Sequence, residues 1–176
     1  MYQRPEPLDI ENIFDDDEII VTKTDLKGRI TYVNDVFCKV AEMTEEDAMG
    51  EPHSIIRHPD MPRSVFYLLW QTIEAKQEIF AYVKNLAKSG HYYWVFAHVS
   101  PTMDKAGNII GYHSSRRAAP QAQIDAVAPI YKQVLEVENS YANRKEGMEA
   151  GFKAIVDLLE QNGVSYDEFV WSVANN

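Results

Sequence analysis

Residues 79–115, IFAYVKNLAKSGHYYWVFAHVSPTMDKAGNIIGYHSS, hold three segments rich in aromatic and β-branched residues, separated by two short turns. The segments are Ile79–Asn85, His91–Ser100 and Asn108–Ser115; the turns are Lys88-Ser89-Gly90 and Asp104-Lys105-Ala106-Gly107. Such residues suit a pleated, half-buried surface, and a glycine in each turn supplies the positive φ that reverses the chain. Three strands joined this way predict an antiparallel meander. Alternation sets Ile79, Ala81, Val83 and Asn85 on one face of the first strand, so Asn85 is a polar residue among apolar ones. On the second strand Tyr92 and Trp94 share one face, Tyr93 and Val95 the other.

Upstream, Ile19–Thr24 and Arg29–Asn34 read as two more strands around an Asp25-Leu26-Lys27-Gly28 turn. Short helical pieces follow: Asp35–Met43, then a helix capped by Thr44 and stopped at Gly50. Pro52 and Pro59 keep residues 51–61 irregular. Pro62 suits the first turn of a helix reaching about Ala75, with Val65, Phe66, Leu69 and Ile73 on one side. Strands flanking a helical block predict an α+β fold with a five-stranded antiparallel sheet and short helices on one face. Downstream of Gln121 the spacing turns helical, with Pro129 as a kink or restart, Phe152–Leu159 as a second helix, and a Ser165–Glu168 capping box opening a third. The expected division is an acidic lead-in over 1–18, a sheet-containing domain over 19–118 and a helical extension over 119–176.

The 176 residues carry 17 Lys+Arg against 27 Asp+Glu, a net charge of −10. That charge is uneven: −6 in residues 1–20, −5 in 120–176, and +1 between them. Net negative charge without a Lys/Arg block argues against a nucleic-acid partner. No apolar run approaches the roughly 20 residues of a membrane span, and the N-terminus lacks a signal-peptide core, so a cytoplasmic protein is expected. Cys38, the single cysteine, sits in an apolar helical context that suits an inert thiol. The five histidines form no His-x-x-x-His pair, and no phosphate-binding glycine loop or Gly-x-Ser-x-Gly motif occurs. No catalytic residue, enzyme activity or metal site is therefore expected.

Two segments are dense in chemistry. Arg57-His58-Pro59-Asp60 puts a cation, an imidazole and a carboxylate within four residues, held between prolines. Arg57 offers a planar fork for an anionic or carbonyl-bearing ligand, and His58 a donor for a ring heteroatom. Asp60 offers either a helix cap or an ion pair to Arg57. A rigid turn leading into a helix explains the same residues equally well. In the second segment, the Asn85 amide provides both donor and acceptor for a heterocycle edge. The aromatics Tyr92, Tyr93, Trp94 and Trp70 suit a core or dimer surface as well as a ligand.

These residues resemble the PAS family, and in particular the PAS sensor of bacterial aerotaxis receptors. The matching strings are Thr24-Asp25-Leu26, Ile30-Thr31, Asn34-Asp35-x-Phe37, Arg57-His58-Pro59-Asp60-Met61-Pro62, Trp70, Val83-Lys84-Asn85 and Lys88-x-Gly90-x-x-Tyr93-Trp94-Val95, within residues 19–118. The resemblance implies a small-molecule pocket between sheet and helices. It implies FAD as the ligand, whose redox state reports oxygen or electron-transport status. The family's FAD-linked positions carry over as Asn34, Arg57, His58, Asp60 and Asn85, with Trp70 as a further candidate. Ile79, preceded by Glu78, stands where the family often has Pro-Trp, and Leu86 and Ala87 stand where two arginines often follow the asparagine. Those departures favour the alternative, a flavin-free interaction or dimerisation module or a sensor of another small ligand. Either way, the signal is expected to leave through the lead-in, the outer sheet face or the helical extension. Its receiver would be a separate protein partner or a second copy of the chain.

Overall fold

The computed structural model describes residues 4–175. Five strands, β1 (Ile20–Thr24), β2 (Ile30–Val33), β3 (Ile79–Leu86), β4 (Tyr92–Met103) and β5 (Ile109–Ala118), form one sheet in the order β2-β1-β5-β4-β3. Every neighbouring pair is antiparallel. Between β2 and β3 lie α1 (Asp35–Ala41), α2 (Glu45–Ala48), a 3-10 turn at His53–Ile56, and α3 (Arg63–Glu74). After β5 come α4 (Gln121–Asn139), α5 (Arg144–Asn162) and α6 (Tyr166–Ala174). The α+β class and the five-stranded antiparallel sheet are as the sequence predicts.

β4 runs three residues past Ser100 and through Pro101. Its pairing with β3 ends at Val99 opposite Ile79, while Pro101 still pairs with Tyr112 of β5. With one neighbour only, β4 tolerates a residue that lacks an N–H. α2 is a single turn closed by a reciprocal capping box between Thr44 and Asp47.

The chain forms two compact units that are discontinuous in sequence. The sheet unit takes the described residues up to His58 and then Ile73–Ala119; the helical unit takes Pro59–Thr72 and the described residues from Pro120 onward. Most of α3, which sequence order places with the sheet, thus groups with the C-terminal helices.

Within the sheet unit the core includes Ile20, Ile30, Phe37, Ile56, Tyr93 and Val95, all buried. The acidic lead-in packs on the sheet unit. The Leu8 amide donates to the Gly90 carbonyl (2.7 Å), the Tyr92 amide to Ile10 (2.9 Å) and the Asn12 amide to Tyr92 (2.7 Å), and Phe14 is buried. Gly90 has φ +96°, and a Cβ there would lie 2.3 Å from the Glu6 carbonyl oxygen, so only glycine allows the approach. The acidic run Asp15–Asp17 is exposed, and Glu18 pairs with Lys39 at 2.7 Å.

The helical unit is organised around a charge. α4 continues through Pro129 as one helix and buries Ile124, Val127, Val134 and also Glu138, which is 0% exposed. Glu138 accepts four hydrogen bonds from the start of α3: Arg63 N (3.1 Å) and Nε (3.2 Å) to Oε2, Ser64 N (2.8 Å) and Oγ (2.7 Å) to Oε1. It thereby takes up first-turn amides that a helix N-terminus otherwise leaves unpaired. α5 crosses this point with two glycines. A Cβ on Gly147 would sit 2.3 Å from the Glu138 carbonyl oxygen, and one on Gly151 would sit 2.6 Å from Glu138 Cγ. An edge-to-face contact of Tyr67 with Phe152 (5.1 Å between centroids) adds apolar packing. Among the described residues, no helix is long and apolar enough to cross a membrane.

Candidate functional site

Strand pairing decides which side chains share the inner face of the sheet. Asn85 lies opposite Tyr93, Val83 opposite Val95, and Ala81 opposite Ala97; Ala97 in turn lies opposite Arg116, and Arg116 opposite Ile20 of β1. Thr22 follows on β1, paired with Ser114. Cross-strand partners point to the same side, so Asn85, Tyr93, Arg116 and Thr22 stand on one apolar surface. Ala81 and Ala97 make the lane leading to Arg116 shallow, since neither side chain extends beyond Cβ.

The strap before α3 joins this surface. Arg57 forms an isolated antiparallel bridge with Asn85 on the free edge of β3, and its own amide donates to Ser54 (3.1 Å). His58 is buried and meets edge-on, at 6.4 Å, the ring of Tyr92, which belongs to the other face of β4. Of the two segments that the sequence marks as dense in chemistry, Arg57 and His58 of the first therefore meet Asn85 and Tyr92 of the second at the β3 edge. Asn85 is 4% exposed, and its Nδ2 has no hydrogen-bond partner among the described residues. A buried amide donor left open in this way is suited to an acceptor on a ligand.

A second polar group lies on the same face and was not singled out from the sequence. Arg116 Nη2 donates to Thr22 Oγ1 (2.6 Å), and Thr22 Oγ1 lies 3.0 Å from Nε2 of His53 in the 3-10 turn. Burial first, then the positive charges of Arg116 and Arg57, push His53 down to about 3, so the imidazole is neutral. A neutral ring accepting at Nε2 fits the order of donors Arg116, Thr22, His53. Burial lowers Arg116 itself to about 10. The available signal was parity: Tyr112, Ser114 and Arg116 alternate inward along β5, and the adjoining Arg117 disguised it as a polar strand end.

The remaining candidates are placed differently. Asn34 caps α1: its Oδ1 accepts from Phe37 N (3.1 Å) and Val21 N (3.0 Å), and its Nδ2 donates to Ile19 O (2.8 Å). That amide ties α1 to the start of β1. Asp60 is exposed, and the first-turn amides of Arg63 and Ser64 in α3 donate to Glu138. Asp60 and Trp70 both belong to the helical unit. Cys38 is half-buried, and burial, then Asp35 and Glu45, raise its thiol above the ordinary range, as suits an inert cysteine.

The sheet order, the strap and the helices between β2 and β3 have a counterpart in sequence comparison. The family profile described as the PAS fold matches residues 30–116. Residues 30–116 are a PAS domain. Around this PAS domain the chain is 41% identical over 117 residues to the aerotaxis receptor of Escherichia coli (strain K12), covering 66% of this chain and 23% of that protein. It is 23% identical over 99 residues to the nitrogen fixation regulatory protein of Klebsiella pneumoniae, covering 56% of this chain and 20% of the relative. The chain thus spans less than a quarter of the length of either relative. Among solved structures, the PAS domain of a Colwellia psychrerythraea protein superposes with a TM-score of 0.54 at 20% identity, covering 57% of this chain and 86% of the other. A light-oxygen-voltage domain studied with a flavin analogue gives 0.58 at 14% identity, covering 65% and 87%. At these identities the structures establish the fold alone.

Proposed function

We propose that the PAS domain binds FAD and reports redox or oxygen status to a separate signalling partner in the cytoplasm. The observation that carries this reading is the open amide donor of Asn85, buried on the inner sheet face and bridged through its backbone to Arg57. The likeness to the aerotaxis receptor over the same residues supports it.

The donor set suits the group. A flavin ring carries carbonyl oxygens and unprotonated nitrogens, and its diphosphate carries negative charge. Asn85 Nδ2 and Arg57 are both donors, the second cationic. Asn85 would hold the polar edge of the ring, Arg57 and His58 the strap side, and Asn34 would keep α1 in register beside them. Asp60 and Trp70 belong to the helical unit. When bound, FAD supplies reversible acceptance of electrons. The chain's own part is to exclude water, to orient the ring through Asn85, and to pass a changed hydrogen bond at Asn85 to the strap through the Arg57 bridge. No side chain is assigned to turnover.

The test is the visible spectrum of the purified full chain before and after incubation with FAD. Bound-flavin bands are expected, and Arg57→Ala and Asn85→Ala should each weaken retention about tenfold, the worth of one charge-assisted or buried hydrogen bond. Absence of flavin bands after reconstitution refutes the reading. In that case Ile79, buried where the resembling family often has tryptophan, favours the flavin-free interaction module instead.

A further inference from the structure

Arg116 is more than the flavin reading requires. Its side chain is buried, with the residue 2% exposed. One nitrogen donates to Thr22, and the guanidinium lies 6.0 Å over the Phe37 ring. Its Nε and Nη1 have no hydrogen-bond partner among the described residues. The hydroxyl it reaches leads to a neutral histidine rather than to a carboxylate. Among the described residues no Asp or Glu is paired with it, and Arg57 adds a second positive charge near His53.

An enclosed guanidinium with donors left open among the described residues is costly to keep, because one protein hydrogen bond replaces only part of its hydration. A merely structural residue at a strand position flanked by Ala97 and Ile20 would be apolar. A cost of this kind is retained where it serves a site, and the missing component here is negative charge.

We propose that Arg116, oriented by Thr22, is the receptor for negative charge on the bound ligand. On the flavin reading, on which this identification rests, the charge is that of the reduced ring. Two electrons from an external donor and one proton from solvent leave the ring one unit more negative than before. A fixed cation favours that form, so Arg116 is a positioning and tuning residue that raises the reduction potential.

The test uses the full chain, native and with Arg116→Met, Arg116→Lys and Thr22→Val. Flavin content, the reduction equilibrium against a reference dye under dithionite titration, and melting of the flavin-free protein are read in parallel. In Arg116→Met the equilibrium should shift at least about tenfold toward the oxidised form, roughly 30 mV for a two-electron couple, with oxidised FAD retained. Arg116→Lys should recover part of that shift, and Thr22→Val should show a smaller one. Without flavin, Arg116→Met should melt at least about 2 °C above native, since an uncompensated charge has been removed. A native potential in Arg116→Met with flavin bound overturns the proposal. Should Arg116→Met fold but lose flavin, recovery in Arg116→Lys supports the charge argument and failure to recover overturns it. If the native chain takes no flavin, the flavin reading falls separately. The flavin-free melting then decides: a rise in Arg116→Met supports a residue kept for an anionic ligand, and no change or a fall overturns it.

Discussion

Replacing Glu138 by glutamine removes one charge while keeping the volume. The native carboxylate accepts four hydrogen bonds, two on each oxygen, from Arg63 and Ser64. Glutamine keeps one acceptor oxygen and turns an NH2 toward the other two donors. In a site that is 0% exposed, two donors are then orphaned at about 1–3 kcal/mol each. Relaxation of the partly exposed Arg63 guanidinium recovers part of this, leaving a loss of about 2–4 kcal/mol. At about 2–4 °C per kcal/mol for a chain of this size, melting should fall by roughly 5–15 °C. Urea unfolding followed by far-ultraviolet circular dichroism measures it. The same reasoning makes Gly151→Ala destabilising, because its Cβ would press on Glu138 Cγ at 2.6 Å and on Oε1 and Ser64 Oγ at 3.0 Å. With Glu138 already cut to alanine that obstacle is gone, so the double variant Glu138→Ala/Gly151→Ala should be less destabilised than the sum of its parts by more than about 1 kcal/mol. A Glu138→Gln loss below about 1 kcal/mol, or strict additivity of the pair, would refute the argument.

Other expectations follow from the sheet unit. His53 is held at about 3 against 6.5 for a free imidazole, so the unfolded chain binds a proton that the folded chain refuses. The associated stability is complete above pH 6.5 and is lost progressively as pH falls from 6.5 toward 3. The urea midpoint of the native chain should therefore drop between pH 7.5 and 5 more steeply than that of His53→Gln, and equal slopes would contradict the assignment. Gly90→Ala should cost about 1–3 kcal/mol through its positive φ and the Glu6 contact. It should also speed amide hydrogen exchange at Leu8 and Asn12, while unchanged protection there would mean that the lead-in is docked by something other than this approach.

Much of the sheet was legible because its signals are local. Alternation along Ile79–Asn85 and the turn glycines Gly90 and Gly107 fix strand direction and face without reference to the rest of the chain. The chemistry of 57–60 and of Asn85 was likewise readable residue by residue. What the sequence did not disclose depends on partners far along the chain. Glu138 sits among acids on a helix and looks like solvent-facing surface, since nothing local reports that Ser64 lies against it 74 residues away. Phe14 was hidden in an acidic run, and its burial follows from strand-like pairing with Gly90 and Tyr92 that composition does not encode. His53 and Arg116 are each unremarkable in their own segments and acquire meaning only through Thr22.

The discontinuity of the helical unit bears on the order of events during synthesis. Arg63 and Ser64 are made early, yet the carboxylate that caps them arrives only after all five strands have been translated. Until Glu138 emerges, the start of α3 must remain with its amides in water, and the segment that follows the Arg57 strap has no settled place. The sheet can mature in that interval from residues already present, whereas the helical unit closes last. A fragment ending at Ala119 would therefore resemble a stage in the life of the nascent chain, with its sheet formed and the beginning of α3 still waiting for its acid.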